Sequence, residues 1–98
     1  MWDGFTGYPE NNVSQLESHL LVQLNAARAM AIPVWVGEFG IGDGVTNHDQ
    51  WIRDHVALYQ KYDLGYCWWE YWVQGGATFS STYNDYTWKP WIALVASP

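Results

Sequence analysis

Charge is scarce in this sequence, and positive charge scarcer still. Of 98 residues, 14% are charged, whereas ordinary globular domains carry about 25%. Four Lys and Arg stand against ten Asp and Glu, a formal net charge of −6. So few scattered cations cannot track a phosphate backbone, which argues against a nucleic-acid partner. No run of about 20 apolar residues occurs, so no membrane-spanning helix is expected. Met1 is followed by Trp2, Asp3 and Gly4 rather than by a basic segment and an apolar run, so no signal peptide is read here. Cys67 is the single cysteine. It cannot form an internal disulfide and suggests neither a disulfide scaffold nor a zinc site.

What the sequence has instead is rings: eight Trp, seven Tyr and three Phe. This aromatic content excludes a disordered chain. A flat apolar face with a polar edge, as in Trp and Tyr, suits a protein core and equally suits the face of a sugar.

The order of elements narrows the choice. Residues 1–12 read as loop, punctuated by Gly4, Gly7, Pro9, Asn11 and Asn12. Residues 14–31 read as a helix, opened by a Ser14-Gln15-Leu16-Glu17 capping box and stopped ahead of Pro33. Leu16, Leu20, Leu24, Ala27 and Ala31 recur along it at helical spacing. Residues 33–39 are almost uniformly apolar, the pattern of a strand buried on both faces. Residues 48–62 read as a second helix, capped by Thr46 or Asn47. A second buried strand follows at 64–72, then a polar loop, then a short helix at 90–96 with Pro90 near its start. Strand, helix, strand over about 30 residues is a βαβ unit, so the two strands should be parallel. His48 and His55 stand seven apart on one helix, poor spacing for a metal pair, and packing or solvation explains them; His19 also falls in an expected helix.

In α/β folds the chemistry gathers at the carboxyl ends of the strands. The first strand ends in Gly37-Glu38-Phe39-Gly40, where Glu38 interrupts an apolar run and needs partners to be held there. The second ends in Trp68-Trp69-Glu70-Tyr71-Trp72, which brings a second carboxylate, Glu70, near the same rim. Neighbouring strands lie about 4.8 Å apart, and retaining glycosidases use carboxyls about 5–5.5 Å apart, so Glu38 and Glu70 form a candidate pair. The plainer alternative makes each a rim residue. By period-two alternation, Val34, Val36 and Glu38 are expected on one strand face, and Cys67, Trp69 and Tyr71 on one face of the next. Trp35, Trp51, Trp68, Tyr59 and Tyr62 are expected in core and helix–strand packing.

Pro33-Val34-Trp35-Val36-Gly37-Glu38-Phe39-Gly40 resembles the seventh-strand motif of glycoside hydrolase family 5, the cellulase A family. Gly65-Tyr66-Cys67-Trp68-Trp69-Glu70-Tyr71 resembles that family's eighth strand, and Trp88-Lys89-Pro90-Trp91 its lead-in to the last helix. The resemblance covers nearly the whole chain. It implies an α/β fold that is a partial (β/α)8 TIM barrel: the last two strands with flanking helices, residues 1–98 being a C-terminal fragment of the catalytic barrel. It implies that Glu38 is the nucleophile and that Trp69 stacks on the sugar. Trp2, Phe5 and Tyr8 fall in the loop after the sixth strand, and Trp72 and Tyr83 in the loop after the eighth. Trp2, Trp72 and Tyr83 are therefore candidate substrate contacts. The family's acid/base Glu ends the fourth strand and its His-x-Tyr pair follows the sixth. Both lie outside this sequence.

The expectation is part of a retaining glycoside hydrolase acting on a β-linked glucan or related polysaccharide, with no cofactor and no metal. The chain alone is expected to be inactive. It should need the N-terminal barrel segment or self-association to cover its open edges. Family members are commonly secreted, so an extracellular location is implied. The rival reading is a non-catalytic carbohydrate-binding module, usually a β-sandwich of many short strands.

Overall fold

The computed structural model describes residues 13–72 and 78–96. The elements are α1 (Val13–Ala29), β1 (Val36–Phe39), α2 (His48–Lys61), β2 (Tyr66–Trp68) and α3 (Ile92–Ala96). The two strands pair in parallel, as the βαβ pattern requires. Both are shorter than the apolar runs that contain them.

The helices end by a shared device. At the end of α1, Ala31 takes a left-handed φ of 56°, and the Ile32 N–H reaches back to the Ala27 carbonyl at 2.9 Å. At the end of α2, Asp63 takes a φ of 54°, and the Leu64 N–H reaches the Tyr59 carbonyl at 2.8 Å. Each bond closes the last turn in a Schellman pattern and turns the chain toward its strand. Helix α1 thus stops before Pro33 can act. Its start also differs from expectation. Ser14 already lies inside α1, where its carbonyl accepts the Ser18 hydroxyl at 2.9 Å. Glu17 is spent elsewhere, on a 2.6 Å ion pair with Lys61 that ties α1 to α2. Asn47 does stand at the cap position of α2, but in the left-handed region and without a side-chain capping bond. Its carbonyl opens the helix by accepting the Trp51 N–H at 2.9 Å.

The core lies between the sheet and the helices. Leu24 from α1, Trp51, Ile52, Val56 and Tyr59 from α2, and Val95 from α3 close over Phe39, Ile41 and Leu64. Phe39 is its centre. Trp51 and His55 stack beside the Phe39 ring, and Tyr59, Tyr66 and Trp68 meet it edge-on, with centroids 5.1–6.3 Å away. Such offset and edge-on pairs suit the ring quadrupoles. Burial pushes the Tyr59 phenol up to about 12, so it stays neutral.

The strand faces correct the period-two reading. Val36 stands opposite Tyr66 and Phe39 opposite Trp68, so β1 advances three residues while β2 advances two. The extra residue is a β-bulge, and it changes which side chains face the helices. Val34 and Val36 pack with the helix-side cluster, and so does Phe39, while Glu38 is exposed. Val34, Val36 and Glu38 therefore do not share a face. Trp35 is also corrected. It is 63% exposed and takes no part in helix packing, whereas Trp51, Tyr59, Tyr62 and Trp68 do. On β2 the alternation holds: Cys67 and Trp69 are exposed and Trp68 packs inward.

Candidate active site

Glu38 lies near the C-terminal end of β1, and Trp69 directly follows the C-terminal end of the parallel strand β2. Glu38 is exposed, and Trp69 is 50% exposed. The strands are knitted at this point by the Trp69 N–H, which donates to the Phe39 carbonyl at 2.9 Å. The next residue, Gly40, explains how closely the strand ends approach. A Cβ at position 40 would lie 2.3 Å from the Trp69 carbonyl oxygen and 3.3 Å from the Phe79 ring. Only glycine leaves room for that backbone contact. The peptide bond that follows, Trp69–Glu70, is cis.

Glu70 is half-buried, and its backbone is fully used: its N–H donates to the Phe79 carbonyl at 3.3 Å, and its carbonyl accepts the Ser81 N–H at 2.8 Å. Trp72 is half-buried and its ring tilts against Tyr86, with centroids 5.2 Å apart. Tyr83 is 49% exposed, with the Lys89 ammonium 6.0 Å from its ring centre. Trp2, Phe5 and Tyr8 lie outside the described residues. Among the described residues, no three His, Cys, Asp or Glu side chains gather as a metal site, and no helix is long and apolar enough to cross a membrane.

Below this rim lies a polar clamp that the sequence did not announce. Lys89 is 7% exposed and holds an ion pair with Asp43. The other Asp43 oxygen accepts the Trp91 indole N–H at 2.8 Å. The Lys89 ammonium also stands 5.9 Å from the Trp91 ring centre, a distance at which a cation is attracted to the ring face. The clamp joins the loop after β1 to the segment that leads into α3, and the Asp43 N–H adds a 2.9 Å bond to the Thr78 carbonyl. The available signal was a single cation set between Trp88 and Pro90, and a single acid inside the glycine-rich loop after Glu38.

Residues 78–89 also carry more regular bonding than a polar loop suggests. Thr82 pairs with Trp88 as an antiparallel bridge, and the Ser81 and Thr82 hydroxyls both donate to the Tyr71 carbonyl, at 3.2 and 3.0 Å. Ser80, Ser81 and Thr82 are buried. A separate cavity of about 250 Å³ opens on the helix side, between Leu16, His19 and Leu20 of α1 and Trp51, His55 and Tyr59 of α2. Neither Glu38 nor Trp69 lines it. Burial holds the His55 imidazole below its ordinary value, outweighing the Trp51 carbonyl and Asp54, which push upward.

No family model matches this sequence, and no curated protein matches it. Solved structures do. An endoglucanase superposes with a TM-score of 0.78 at 19% identity, over 97% of this chain and 31% of that one. A hyperthermophilic endo-β-1,4-glucanase in complex with substrate gives a TM-score of 0.78 at 17% identity, again over 97% and 31%. The Cel5A of Thermotoga maritima, solved in complex with cellobiose, gives 0.74 at 17% identity, over 93% of this chain and 30% of that one. The chain therefore has the fold of a segment of these enzymes and spans about a third of their length.

Proposed function

We propose that this chain is the C-terminal portion of the (β/α)8 catalytic barrel of a retaining, family 5-like glycoside hydrolase acting on β-linked glucan or a related polysaccharide. The observation that carries the reading is that Glu38 and Trp69 fall at the carboxyl ends of two adjacent parallel strands and that both are exposed. Substrates of barrel enzymes are held at that end. The likeness in fold to endoglucanases supports the same reading.

In the intact barrel, the Glu38 carboxylate attacks the anomeric carbon while the bond to the leaving sugar oxygen breaks. A general acid protonates that oxygen. Water, deprotonated by the same acid/base residue, then hydrolyses the glycosyl ester with retention. Trp69 offers its ring face to the sugar. Trp2, Trp72 and Tyr83 are further contacts on this reading. The acid/base carboxylate comes from the earlier part of the barrel, and Glu70 is the alternative source within this chain. The intact enzyme is secreted, as the family resemblance implies.

The exposed aromatics would also serve a carbohydrate-binding module. The helices and the parallel strand pair favour the enzyme segment over a β-sandwich. The decisive assay follows carboxymethylcellulose hydrolysis by the chain alone and by the chain mixed with a polypeptide carrying the first five βα units and the sixth strand. Turnover is expected only in the mixture, and only with Glu38 intact. Glu38-dependent turnover by the chain alone would overturn the need for a partner and point to Glu70 as the acid.

A further inference from the structure

Tyr71 and Trp88 are two more exposed rings beyond Trp69. Tyr71 is 57% exposed and Trp88 is 58% exposed, and they meet nearly edge to face, with centroids 5.6 Å apart and planes at 69°. Two ring faces set at that angle form a corner rather than a flat patch.

The corner is exposed, but the backbone behind it is not free to move. The Tyr71 carbonyl accepts both the Ser81 and the Thr82 hydroxyls. Trp88 is the bridge partner of Thr82, and the Lys89 N–H next to it donates to the Ser81 carbonyl at 2.9 Å. Ser81, Thr82 and Lys89 are all buried. The backbone that carries the two rings is therefore held before any ligand arrives, which lowers the entropy lost on binding. An exposed tryptophan fixed from beneath in this way is not explained by packing within the described residues.

The chemistry of the corner selects among ligands. Rings that stack on nucleic-acid bases work beside cations that follow the phosphates. Here the nearby cation, Lys89, is buried and engaged by Asp43. A neutral ligand with flat apolar faces and hydroxyl edges fits instead. β-Linked glucose rings present C–H faces to an aromatic ring and equatorial hydroxyls to a Tyr edge.

We infer that Tyr71 and Trp88 form a second sugar-stacking subsite that holds a neutral β-glucan chain running beyond Trp69. This inference rests on the proposed function and extends it to a substrate longer than the sugar at the reacting centre.

The test measures binding of cellobiose and of cellohexaose by calorimetry to the chain reassembled with the earlier barrel segment, with Glu38→Gln present throughout to stop turnover and folding checked by circular dichroism. Trp88→Ala and Tyr71→Ala should each weaken cellohexaose binding about tenfold, the loss expected for a well-placed aromatic anchor. Both should leave cellobiose binding within about twofold. Trp88→Phe keeps a stacking face and should retain most of the cellohexaose affinity. Trp69→Ala should weaken both ligands.

Unchanged cellohexaose affinity in folded Trp88→Ala and Tyr71→Ala, alongside a loss in Trp69→Ala, would overturn the subsite and spare the functional reading. Variants that alter self-association and leave sugar binding untouched would overturn it in the same way. A reassembled Glu38→Gln barrel that binds neither sugar would overturn both.

Discussion

Gly40 and Trp69 meet backbone to backbone: a Cβ on residue 40 would stand 2.3 Å from the Trp69 carbonyl oxygen. The obstacle is main chain and cannot swing aside. Gly40→Ala should therefore push the strand ends apart and destabilise the fold by about 3 kcal/mol, the upper range for forced overpacking. Urea unfolding of both proteins measures it, and an unchanged midpoint would refute the contact.

Glu38 is exposed and carries no packing role. Glu38→Gln should leave the unfolding midpoint and sugar affinity nearly unchanged. In the reassembled barrel it should lower turnover by at least about a thousandfold, as expected for loss of a nucleophile. Substantial residual turnover would remove Glu38 from the chemistry.

Acid should weaken the fold through His55. Its Nδ1 lies 2.8 Å from the Trp51 carbonyl oxygen, which can only accept, so Nδ1 carries the proton in the neutral ring. The folded value lies below the unfolded 6.5 because burial disfavours the charged ring. As pH falls below about 6.5, the unfolded chain takes up the proton first. Stability is then complete above that pH and declines toward the lower folded value. Thermal midpoints across this window should fall in the wild type and flatten in His55→Gln. Parallel slopes in the two proteins would exclude His55 as the cause.

Asp43→Ala strands the Lys89 ammonium and the Trp91 N–H together. Removing one partner of a fully buried pair costs about 3–5 kcal/mol. The Asp43 side chain is 37% exposed, so solvent should soften the loss to about 2 kcal/mol. Asp43→Ala combined with Lys89→Met should recover much of it. A double variant as weak as the single one would assign the loss to something other than the stranded charge.

Trp35 stands just ahead of β1 and is 63% exposed. An apolar face of this kind invites association. Trp35→Ser should reduce concentration-dependent oligomers of the isolated chain in sedimentation velocity, and an identical distribution would place the contact elsewhere.

The element order and the parallel pairing were legible because helical spacing and buried apolar runs depend on near neighbours. The side on which a residue of β1 falls was not. Period-two alternation places Glu38 with Val36, and the bulge between Val36 and Phe39 breaks that parity. The residue types Gly37 and Glu38 do not by themselves announce an extra residue in a ladder. Trp35 departs from its expected place because it stands just ahead of β1, and a continuous apolar run does not mark where strand pairing begins. Glu38 and Trp69 were singled out by the resemblance of their two strand motifs rather than by periodicity, and both fall at the ends of the paired strands. Asp43 and Lys89 were not, because 46 residues separate them and nothing local marks them as partners.

Phe39 carries a last consequence. Its ring is wedged among Trp51, His55, Tyr59, Tyr66 and Trp68, and it is joined by one peptide bond to Glu38. The carboxylate itself is loose in solvent, yet its anchor point is as immobile as the core. Aim at the rim is therefore set by residues on the far side of the sheet, which never meet a ligand. On the proposed function, replacing one ring of that cluster by a smaller side chain should lower turnover before it unfolds the protein.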